Sequence, residues 1–165
     1  MRFLGGGAVI LAAALMQVSW FGHVRPFGVI PNLVLIAVVL IALWYSATAA
    51  LAAALGGGFL LDTASGSDFG LRMGFFGVVA LAIVAGRQLG LNAGSAITGL
   101  VSVAVATVLY NLAALIVLGA GPSLIVLGRV GTELICNLII TAVIFIIRAN
   151  IGTKAHTPLE PGGLR

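Results

Sequence analysis

Apolar residues run through this chain in segments of membrane length, separated by short polar punctuation. From about 3 to 22 the segment is apolar apart from Gln17 and Ser19, and Trp20, Phe21 and His23 then stand where amphipathic rings meet a membrane surface. Arg25-Pro26 and Pro31-Asn32 mark a loop. Leu33 to Leu61 carries no charge, and as one helix it would measure about 43 Å against a hydrocarbon core of about 30 Å. Trp44-Tyr45-Ser46 lies near its middle, and amphipathic aromatics prefer the interface to the bilayer centre. The pattern therefore predicts one helix at about 32–45 and a second, short one at about 48–61. Residues change there from Leu, Ile and Val to Ala and Gly, as suits a helix packed among others. Further helices are predicted at about 69–87, 94–119 and 123–148, the fifth being stopped by Gly119, Gly121 and Pro122.

Composition fixes the class. Of 165 residues 61% are hydrophobic and 7% charged, whereas a soluble domain carries about a quarter charged residues. The expectation is an all-α integral membrane protein, a compact bundle of about six transmembrane helices over residues 1–150, followed by a flexible cytoplasmic tail over 151–165. The first segment resembles a signal sequence but is long enough to span, and is expected to stay attached. Eight basic residues are scattered singly, which suits membrane orientation and not nucleic acid, where a clustered patch is needed. With six spans, Arg2, Arg87, Arg148, Lys154 and Arg165 fall on the side of both termini and Arg25, Arg72 and Arg129 on the other, so positive-inside counting puts both termini in the cytoplasm. Five spans give the same balance, so the Trp44-Tyr45 break carries the choice of six. A single cysteine, Cys136, excludes an internal disulfide and a cysteine-based metal site.

Polar chemistry concentrates in two places. The stretch Gly56–Gly74 holds Asp62 and Asp68 among glycines and serines. Asp68 is placed to cap a helix starting at Phe69, with Arg72 one turn on, and Gly70, Gly74 and Gly77 form a small-residue stripe suited to close helix contact. In the last helix Arg129, Glu133, Asn137 and Thr141 recur every four residues on one drifting stripe. A charge at the bilayer centre costs about 2.5–3.5 kcal/mol, so this stripe is expected to face protein or water. Arg129 and Glu133 either neutralise each other or offer a polar contact to a pocket or partner, and the two readings are compatible. No His/Asp/Glu cluster, Ser-Lys pair or phosphate-binding glycine loop is seen, so neither enzyme chemistry nor a cofactor or metal is expected.

Leu61-Asp62, Gly66 and Gly70, with Pro31-Asn32 opening the second helix, resemble the motifs of the rod shape-determining MreD family, over about residues 1–150. Asn32 stands where that family usually has Asp. The resemblance implies a non-enzymatic scaffold in the bacterial inner membrane that binds an MreC-like bitopic protein. It would support a RodA-type glycosyltransferase and a penicillin-binding transpeptidase, with membrane lipid around it. Partner or pocket candidates are Asp62, Gly66, Asp68, Gly70, Gly74, Arg129, Glu133 and Asn137. The family's fold is in turn similar to the substrate-binding S component of energy-coupling-factor vitamin transporters, which supplies the rival function. Ala8 and Ala12 match the spacing such components present to their transporter, and Trp20, Asp62, Asp68, Asn111 and Arg129 are what a solute pocket would draw on.

Overall fold

A computed structural model describes residues 2–154 apart from 22, 67–69, 118 and 120–122, with the backbone alone at 2–5, 26 and 152–154. Six α-helices follow one another: α1 Arg2–Leu15, extended by a π-helical turn Met16–Trp20, α2 Leu33–Trp44, α3 Ala47–Ser65, α4 Leu71–Gln88, α5 Ala96–Val117 and α6 Leu124–Lys154. Four of them, α3 to α6, are long and apolar enough to cross a membrane. The chain is a helical, multi-pass membrane bundle.

The break at Trp44-Tyr45-Ser46 is where the aromatics placed it, but α3 is the longer of the two helices. Tyr45 is extended and ends α2, and the Ser46 side chain accepts the Ala49 N–H to start α3. The third helix, expected to be short and to stop at 61, runs on to Ser65 and is long and apolar enough to cross a membrane. The second is the shorter of the two. Its 12 residues reach about 18 Å, and ten of them are buried, from Val34 to Leu43. A helix apolar on every side belongs inside protein, and α2 touches all five others. It is the central post of the bundle. Asn32 caps its start by accepting the Leu35 N–H at 3.1 Å.

The glycines that bring helices together are not those of the expected stripe. Gly74 has open space where a side chain would be, Gly70 lies before α4 at φ +96°, and of the three only Gly77 faces a neighbour, Leu55. The close crossing is at Gly58 on α3, where a Cβ would overlap the Met73 backbone of α4. Without a side chain there, the two backbones meet directly. The α3–α4 interface is accordingly the most extensive in the bundle.

Side chains tie the α2–α3 and α4–α5 turns into one end of the bundle. Trp44 donates its indole N–H to the Ala93 carbonyl at 3.1 Å. Arg87 donates to the Ala42 and Tyr45 carbonyls at 2.9 and 2.6 Å, supplying positive charge to the end of α2. The Arg148 guanidinium lies over the Trp44 ring, 4.0 Å from its centroid. The α3–α4 connection and the start of α6 lie at the opposite end.

Candidate functional site

At that opposite end Asp62, on the last full turn of α3, is only 2% exposed. Its Oδ2 accepts the backbone N–H of Gly70 at 2.9 Å and of Met73 at 3.2 Å, and its Oδ1 that of Arg72 at 3.3 Å. These are the orphan donors of a helix start, where a negative charge is favoured. Gly66 makes the turn that allows this. It leaves α3 in the left-handed region at φ +64°, where glycine has no steric cost.

This arrangement corrects the expected start of α4. The fourth helix begins at Leu71, not Phe69, and its cap comes from the preceding helix. Asp68, expected in that role, lies outside the described residues. Among the described residues the Arg72 guanidinium bonds other groups than the Asp62 carboxylate. Its Nη1 donates to the Leu61 carbonyl at 2.8 Å and to the Ser65 hydroxyl at 2.6 Å, and its Nε to the Tyr110 hydroxyl at 3.0 Å. The Tyr110 ring meets Phe75 edge-on at 5.4 Å. One arginine thus joins the ends of α3 and α4 to α5.

The second cluster runs through the bundle from α2 to α6. Asn137 accepts the backbone N–H of Asn32 at 3.0 Å and donates to the Thr107 hydroxyl at 3.0 Å. All three residues are buried. Thr141 donates back to the Asn137 carbonyl at 2.7 Å, and Gln17 accepts the Val34 N–H at 3.1 Å. Glu133, one turn from Asn137, accepts from the Asn111 amide at 3.3 Å. Arg129 does not join them: it is exposed and forms no ion pair with Glu133. Four-residue spacing turns an ideal helix by about 40° each step, so the stripe has rotated from solvent or lipid at Arg129 to full burial at Asn137 and Thr141.

Of the expected residues, Asp62, Gly66 and Gly70 share the α3–α4 clamp, and Glu133 and Asn137 share the interior network. Gly74 and Arg129 stand outside both. Tyr110 was not expected. Its signal was a tyrosine between Thr107 and Asn111 in a mostly apolar helix. The reach of Asn32 to Asn137, 105 positions away, has no local signal.

Comparison with family models, curated proteins and solved structures finds no match. The site must be judged on its own groups. Among the described residues, no buried side-chain nitrogen or oxygen lacks a hydrogen-bond partner. The cleft beside the clamp, lined by Gln17, Ile30, Leu61, Ser65 and Arg72 among others, holds about 190 Å³, whereas ligand sites usually hold about 300–1,000 Å³. The polar groups here bond each other and lock helix ends together.

Proposed function

We propose that the chain is a non-enzymatic scaffold of the bacterial cell-elongation machinery, as its resemblance to the MreD family implies. It acts in the inner membrane with both termini in the cytoplasm. It binds an MreC-like bitopic protein and through it supports RodA-type and penicillin-binding enzymes of lateral wall synthesis. The observation that carries this reading is that, among the described residues, the buried polar side chains already have partners within the protein, in a bundle whose helix ends are locked by Asp62, Arg72 and Arg87. A solute-binding S component needs convergent polar groups with bonding capacity left for a ligand. A scaffold needs rigid helices with faces left open for another membrane protein. Such faces are present: Gly74 on α4, and Gly128 and Gly131 on α6, have open space beside them.

The test is to purify the tagged chain from its host membrane and to deplete it in the same cells. Recovery of a bitopic partner together with rounded cells supports the scaffold. Recovery of a tightly held vitamin with cell shape unchanged overturns it in favour of the transporter component.

A further inference from the structure

The short central helix leaves a mark on the outside of the bundle. Because α2 stops at Trp44 and α1 and α6 do not close over it, a groove of about 550 Å³ runs between them. Its walls include Ala13 of α1, Met16 of the π-helical turn that extends it, and Ile140 and Ile144 of α6, with Ile36 and Leu40 of α2 as its floor. The lining on α2 extends from Leu33 to Trp44, eleven steps or about 16 Å. That is one leaflet, half of a hydrocarbon core of about 30 Å. A partner's spanning helix needs a groove of twice this length, whereas an acyl chain needs one leaflet's depth.

At its Trp44 end the groove adjoins a second cleft, of about 490 Å³, and the two share Trp44, Tyr45 and Ile144. Arg148 lines this mouth and is exposed. Its guanidinium sits over the Trp44 ring, and among the described residues its N–H donors have no hydrogen-bond partner. Arg87 adds a second positive charge beside Tyr45. The described acids, Asp62 and Glu133, lie at the other end of the bundle. The mouth is therefore cationic, with donors in the fork that suits phosphate.

We propose that this groove holds an acyl chain of one anionic phospholipid, whose phosphate is bound by Arg148 at the Trp44–Tyr45 mouth. The site does not depend on the scaffold reading, since it rests on the groove and its charge alone.

The experiment reconstitutes the full chain in vesicles of phosphatidylglycerol and phosphatidylcholine in equal parts, extracts it in mild detergent and counts retained lipids by native mass spectrometry. The wild type should keep phosphatidylglycerol in preference to phosphatidylcholine. Arg148→Gln removes charge-assisted bonds from an exposed side chain and should weaken that retention by about tenfold. Arg129→Gln, an exposed cation at the opposite end, should leave it unchanged. Ala13→Phe fills the groove and should reduce retention of both lipids with Arg148 intact. Equal retention of the two lipids, or wild-type retention by Arg148→Gln, overturns the proposal. So does a photocrosslinker at Ala13 that captures a protein helix in cells in place of lipid.

Discussion

The Asp62 carboxylate accepts the backbone N–H of Gly70 at 2.9 Å, so one helix of the bundle caps the next. The acid stands eight residues before the donor, on the far side of a turn, and fixes the angle at which α4 leaves α3. Arg72 repeats the connection from the other direction by donating to the Leu61 carbonyl.

Removing that carboxylate should be costly. Asp62→Ala strands the N–H groups of Gly70, Arg72 and Met73 in a nearly buried position, and we expect a loss of about 2–4 kcal/mol. Asp62→Asn keeps one acceptor oxygen and should lose about half as much. Thermal unfolding of the purified variants checks this, and equal melting of wild type and Asp62→Ala would contradict the cap.

The helical class and the interruption at Trp44-Tyr45-Ser46 were legible because both are local: apolar length, interfacial aromatics and a serine cap. The length of each half of the Leu33–Leu61 run and the depth of its burial were not. An all-apolar α2 reads alike whether lipid or protein surrounds it, and only the helices packed about it decide. The Asp62 cap of α4 was not legible for a similar reason. Local rules favour the aspartate next to the helix start, whereas the turn at Gly66 brings Asp62 back from the previous helix. Charges at four-residue spacing suggested a pair at Arg129 and Glu133, but pairing depends on which way each points, and Glu133 turns to Asn111 on α5.

That last point predicts where coupling lies. In double-mutant cycles, Arg129→Ala and Glu133→Gln should be additive within about 0.5 kcal/mol, as for sites that share no contact. Asn111→Ala and Glu133→Gln should couple by about 1 kcal/mol. The measurement is the unfolding free energy in detergent, and a larger coupling for the arginine pair would reverse the assignment.

The glycines separate folding from partnership. Gly58→Ala sets a methyl against the Met73 backbone, which cannot yield as a flexible side chain can. It should lower folded yield sharply. Gly74→Ala meets nothing within 4 Å and should be neutral or stabilising by up to about 1 kcal/mol, since alanine is the better helix former. Gly74→Leu should also fold, and on the scaffold reading it should lose the MreC-like partner while inserting normally. If Gly74→Leu retains the partner, the contact lies on another face.

The same contacts that lock the bundle show which turns lie at the same end. The Trp44–Ala93 hydrogen bond and the Arg87 contacts bring the turns after α2 and α4 together, so Ser46 and Asn92 must share one side. Ser123, which caps α6 by accepting the Val126 N–H, begins a helix whose Arg148 reaches Trp44, so it lies on the other. Arg87, Arg148 and Lys154 are at the Trp44 end, and Arg25, Arg72 and Arg129 are towards the opposite one. The side chains alone leave these counts level. Arg2 begins α1, and α1 runs antiparallel to α2 with Val9 and Met16 along the same groove, so Arg2 joins the Trp44 end and tips the balance. The Trp44 end is therefore expected in the cytoplasm. Single cysteines at Ser46, Asn92 and Ser123, each in a Cys136→Ser background, should leave only position 123 open to an impermeant thiol reagent in intact cells. Reaction at 46 and 92 with 123 protected would invert the protein in the membrane while leaving the bundle intact, and reaction at only one of 46 and 92 would break the pairing of the two turns.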